Sequence, residues 1–189
     1  MKPFDYVSVI ISVVIGLGLS HLLTGFVELV KARRRIRFYW IHLLWVGLTF
    51  MGHVFLWWSL WNLRGLQVWN FFSFLLLLLQ PVLLFVVAAF LIPELNPEEP
   101  LDLRDYFYEN HSAIFGAGTA FTVLMLVRNV LPVGGRLLTP ANYLLALALV
   151  LLVVSAITKN ARYHAAVGIL FALWFLTFII LFGLQLGGA

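Results

Sequence analysis

The chain has 189 residues, 63% hydrophobic and 11% charged, with a mean hydropathy of +1.02 and a formal net charge of +4. Soluble domains carry about 25% charged residues, so a water-soluble fold of this length could not bury so much apolar surface. Cysteine is absent, which excludes disulfides, thiol catalysis, iron–sulfur ligation and c-type haem attachment.

Six apolar segments approach the roughly 20 residues needed to cross a bilayer, and they predict an all-α, polytopic membrane protein: one integral domain built as a six-helix bundle. The spans fall at about 7–30, 38–63, 70–92, 103–131, 140–158 and 164–186. The opening MKPFDY has one Lys, an early Asp and no small-residue cleavage site after the apolar run, so the first span reads as retained and not as a removed signal.

The first span steps in fours through Ser8, Ser12, Gly16, Ser20, Thr24 and Glu28. Small residues at that spacing mark a helix face that another backbone can approach closely in lipid. Ser8, Ser12, Gly16 and Ser20 are therefore the expected packing row, and they suit self-association as well as packing within the chain. A basic turn follows, with Lys31, Arg33, Arg34, Arg35 and Arg37. Four of these, Arg33, Arg34, Arg35 and Arg37, are expected to contact anionic lipid at the cytoplasmic face. Nucleic-acid binding would need a domain that the spans do not leave.

The second span carries His42, Thr49 and His53 at offsets that keep all three in one arc. The third has Gln80-Pro81 at its midpoint. Proline there frees the carbonyl of Leu77 and bends the helix, making the pair a hinge candidate. After Pro93 comes the one long polar stretch, PELNPEEPLDLRD, in which Asp102 stands where a helix N-cap belongs, with Asp105 three residues on. The fourth span carries His111, Gly118, Thr122 and Asn129 along one arc. Arg128, near its outer end, is expected to snorkel to the interface. Thr139-Pro140 forms a cap and first-turn pair for the fifth span. The third, fifth and sixth spans are otherwise nearly featureless and suit lipid contact. The turn KARRRIRFYWIH faintly echoes TKNARYH ahead of the sixth span.

Eight of the twelve Lys and Arg residues fall on connections 1, 3 and 5, five of them on the first. Positive charge favours the cytoplasm, so both termini are expected outside a bacterial inner membrane. Trp57, Trp58, Trp61 and Trp69 at one end of the second span, and Phe38, Tyr39 and Trp40 at the other, read as interfacial belts.

Ionisable residues at membrane depth usually face the bundle interior or a wet cavity. His21, Thr24, Glu28, His42, Thr49, His53, His111 and Thr122 could therefore line a hydrated pathway for protons, a cation or a small solute. They could equally hydrogen-bond between helices in a non-catalytic scaffold or accessory subunit. A third reading is haem b held by His21 and His53, whose depths differ by about 8 Å at 1.5 Å per residue. No resident cofactor or metal site is otherwise implied: no HExxH lies in any span. No enzyme is expected.

The opening FDYVSVIISVVIGLGLSHLLTG, the turn RRRIRFYWIHLLW and the following WWSLW resemble a group of short bacterial inner-membrane proteins of uncharacterised activity. The resemblance covers the first two spans and, more loosely, LDLRDYFYENH. It implies a multi-span fold and a bacterial source, and no activity.

Overall fold

A computed structural model describes residues 3–65, 70–96, 99–130, 139–178 and 180. Among them six helices run in the order α1 (Pro3–Lys31), α2 (Trp40–Ser59), α3 (Phe71–Leu91), α4 (Leu103–Val130), α5 (Pro140–Ile157) and α6 (Ala161–Phe178). Five of these, α1 to α5, are long and apolar enough to cross a membrane; α6 is apolar and shorter over its described residues. The second predicted span ends earlier as α-helix and tightens into a 3₁₀ turn at Leu60–Leu63. Trp69 and the Pro132–Gly135 breaker lie outside the described residues, as does the end of the sixth span.

Local chemistry sets several helix starts. Asn70 accepts from the Ser73 amide at 2.8 Å to open α3, and Thr139 accepts from the Asn142 amide at 3.2 Å to open α5, with Pro140 in the first turn. Asp102 caps α4 by accepting from the Arg104 amide at 2.8 Å. Each removes one of the amides that a helix start leaves unpaired.

The third helix was expected against lipid, yet it is an inner one, packing on α1, α2 and α4. Its buried row is Leu77, Gln80, Pro81, Leu84, Val87, Ala88 and Leu91. The fifth helix lies along α4, and α6 meets α2 and α5. One core joins Leu22, Trp45, Ala88, Leu91, Phe107 and Phe115. A second joins Ile11, Ile15, Leu56, Leu77 and Leu84.

Within the chain α1 does not pack through its row of small residues. Gly16, Ser20, Thr24 and Glu28 are exposed, Ser8 and Ser12 are half-buried, and a Cβ on Gly16 would meet nothing. The buried row is Ile11, Ile15, Gly18, Leu22, Gly25 and Leu29, alternating by four and three. Two other glycines carry the close approach. A Cβ on Gly18 would overlap the His53 ring, and one on Gly25 would overlap Ile92.

At the basic end two connections are stitched together. Strand β1 (Ile36–Arg37) pairs in parallel with β2 (Leu101–Asp102), and the Leu101 amide donates to the Arg35 carbonyl at 3.1 Å. Arg37 also donates to Asp102 at 3.3 Å. That ion pair is open to solvent on the arginine side. Such pairs are worth roughly 0–1 kcal/mol, whereas an Asp N-cap is worth about 1 kcal/mol. Denaturant titration in mixed micelles should therefore rank Asp102→Ala as clearly more damaging than Arg37→Ala. Equal losses would assign the stability to the ion pair instead of the cap.

Candidate functional site

The titratable side chains of the expected pathway lie in different surroundings: His42 and His111 are buried in one aromatic cluster, His53 lies against α1, His21 is half-buried and Glu28 is exposed. Four histidines are buried, and each ends on a main-chain carbonyl. Since a carbonyl only accepts, the ring nitrogen facing it carries the proton.

His42, on α2, donates through Nε2 to the Leu91 carbonyl at 2.7 Å. Leu91 is the last residue of α3, and helix ends leave their final carbonyls without helical partners. His42 thus caps α3 from the side. Tyr106 assists, donating to the Phe90 carbonyl at 3.0 Å. His164, on α6, does the same for α5: its Nε2 donates at 2.8 Å to the carbonyl of Thr158, the C-cap residue of that helix. The other two bond within their own helices. His53 Nδ1 donates to the Thr49 carbonyl at 2.8 Å, and His111 Nδ1 donates to the Tyr108 carbonyl at 2.7 Å.

His42 and His164 both meet Phe107 edge-on, with ring centroids 6.3 and 5.4 Å from it. Phe107 is fully buried and also meets Tyr39, Tyr108 and Phe115 at 6.1, 5.2 and 5.9 Å. His164 stacks on Phe115 at 5.1 Å and meets His111 edge-on at 6.2 Å. The Tyr39 and Tyr108 hydroxyls meet at 3.0 Å. This aromatic cluster joins α2, α4 and α6 near the basic end.

The remaining pathway residues are scattered. His21 is half-buried against Phe85, 5.8 Å between centroids. Thr24 and Glu28 are exposed. Thr49 is buried and lends its carbonyl to His53, while Thr122 donates to the Gly118 carbonyl at 2.9 Å. Two cavities lie at the basic surface, and no imidazole lines either one. Among the described residues no three His, Asp or Glu side chains converge as metal ligands.

Haem b does not fit the pair His21 and His53. One His53 nitrogen is bonded to Thr49, and the other abuts the α1 backbone at Gly18, where even a methyl group would collide with it. Neither nitrogen is open to an iron.

Sequence reasoning missed two residues. His164 sits on a helix assigned to lipid, although the echo between TKNARYH and KARRRIRFYWIH places it in the same position after a basic turn as His42. Arg128 does not snorkel outward. Its guanidinium donates at 3.2 Å to Oε1 of Gln80, next to Pro81 inside α3. Gln80 is 1% exposed and serves Arg128, while its Nε2 finds no partner among the described residues. The Gln80 oxygen thus serves α4, and its Nε2, the group that could donate to the carbonyl the proline frees, makes no such bond.

The class that this fold defines is a multi-pass helical membrane protein. Comparison of the chain with family models, with curated proteins and with solved structures gives no match.

Proposed function

We propose that the protein is a non-catalytic scaffold or accessory subunit of a larger membrane complex. The observation that carries this reading is the use of the imidazoles: His42 and His164 cap the ends of α3 and α5 and so hold helices together. Polar groups committed in this way build a fixed body and leave the outer faces for partners. The Lys/Arg bias supports a bacterial inner membrane with the basic turn in the cytoplasm and both termini outside. Arg33, Arg34, Arg35 and Arg37 are exposed there and suit anionic headgroups. The outward row through Gly16 and Ser20 suits a second copy of the chain.

A channel or carrier for protons, a cation or a small solute is the second reading, through the polar residues His21, Thr24, Glu28, His42, Thr49, His53, His111 and Thr122. One observation favours it: His21, His42, His53 and His164 each keep a buried ring nitrogen with no partner among the described residues. One preparation separates the two. The scaffold reading expects a fixed partner to co-purify from native membranes, and no flux when the purified chain is placed in proteoliposomes. Recovery of a pure homo-oligomer, together with proton or cation flux abolished by His21→Ala, His53→Ala or Glu28→Ala, would reverse the choice.

A further inference from the structure

A groove of about 400 Å³ opens at the basic end between the last turn of α1 with its following turn and the α3–α4 connection. That volume is in the range of small-ligand sites. Glu28, Lys31 and Arg35 line one wall, and Glu94 and Glu99 the other. Three carboxylates and two cations thus surround one space, and none of the five forms an ion pair among the described residues. Opposite charges left apart in one cavity are suited to a ligand that itself bears both signs.

The walls are held in place. The pairing of β1 with β2 ties the two connections together, and the lining residues Ala32, Leu95 and Leu101 pack on a buried cluster of Leu29, Ile36 and Leu103. Side chains therefore reach into a space whose width is set by backbone, which lowers the ordering cost of binding.

The two walls differ in charge. Lys31 and Arg35 also border an adjoining cavity of about 390 Å³ lined by Arg33 and Arg34, so the α1 side is the cationic one. Among the described residues the charged groups of the opposite wall are Glu94 and Glu99, with the Asn96 amide beside them. A phosphate fits the first and an ammonium the second, each through charge-assisted hydrogen bonds. Exposed apolar side chains stand on the same helix end: Phe26, Val27 and Val30 lie within two turns of Lys31. Acyl chains could lie on them while a headgroup enters the groove.

We propose that this groove binds the phosphoethanolamine headgroup of a membrane lipid, with the phosphate at Lys31 and Arg35 and the amine at Glu94 and Glu99. The site is independent of the scaffold reading, since it needs only the basic end of the molecule to be folded.

The test uses the purified full-length protein in detergent, titrated by calorimetry with dihexanoyl phosphatidylethanolamine, dihexanoyl phosphatidylglycerol and soluble phosphoethanolamine. The ethanolamine lipid should bind about tenfold more tightly than the glycerol lipid, the factor expected for one added charge-assisted hydrogen bond. The double variant Glu94→Gln/Glu99→Gln should erase that preference while still binding the glycerol lipid. Lys31→Gln/Arg35→Gln should weaken both lipids. All four side chains are exposed, so these variants should remain folded. Equal binding of the two lipids by the unaltered protein, or a preference surviving Glu94→Gln/Glu99→Gln, overturns the proposal. Soluble phosphoethanolamine binding as tightly as the short-chain lipid overturns the lipid assignment and points to a free phosphoamine.

Discussion

Phe107→Ala should be among the most damaging single substitutions in the described part of the molecule. The ring is fully buried and touches both capping histidines as well as Tyr39, Tyr108 and Phe115. In a water-soluble core such a change costs about 3–5 kcal/mol. In lipid much of the transfer contribution drops out, because separated helices still keep the side chain in an apolar medium. The cavity contribution remains. At about 24 cal/mol per Å³, removing roughly 100 Å³ costs about 2–3 kcal/mol. Equilibrium unfolding in mixed micelles should show that loss, with Phe107→Leu markedly milder. A Phe107→Ala protein within about 0.5 kcal/mol of the parent, the range of an ordinary surface change, would mean that the cluster does not hold α2, α4 and α6 together.

The second large effect concerns two glycines on one helix, two residues apart. Gly18 faces His53 so closely that any Cβ overlaps the ring, whereas Gly16 faces open space. Overpacking of this kind costs about 1–3 kcal/mol, and more where backbone must shift. Measured on the monomeric protein, Gly18→Val should therefore destabilise strongly and Gly16→Val should stay within about 0.5 kcal/mol. The milder Gly18→Ala should be rescued by His53→Ala, since the two sites are in contact and their effects should not add. Equal damage from Gly16→Val and Gly18→Val would place the helix crossing elsewhere, and the absence of rescue would separate His53 from the crossing.

Those two glycines also mark where sequence reading reached its limit. Long apolar segments announce helices by length alone, and caps such as Asp102 and Thr139-Pro140 are local chemistry, so both are legible without tertiary information. Facing is different. In a membrane the core and the lipid are equally apolar, so hydropathy alone does not say which face of α1 is buried within the chain. Small residues occur in two rows, one through Gly16 and one through Gly18 and Gly25, and only the neighbours decide which row is buried within the chain. The same ambiguity hid α3, which looks like a lipid-facing helix yet lies inside. The histidines were visible as rare polar groups, but their partners were not. A main-chain carbonyl at the end of another helix leaves no trace in residue identity. Arg128 was misplaced because interfacial depth suggested outward reach, while Gln80, 48 positions earlier, offered an inward acceptor.

During synthesis β1 leaves the ribosome two spans ahead of β2, the strand that completes it. Until Leu101 emerges, the backbone of the first turn has no strand partner, and its four arginines sit on an unfastened loop. The first hairpin is therefore inserted before it can be locked, and closure waits for the start of α4. A nascent chain halted before that point would carry α1, α2 and α3 packed on one another but without the clasp at their basic end.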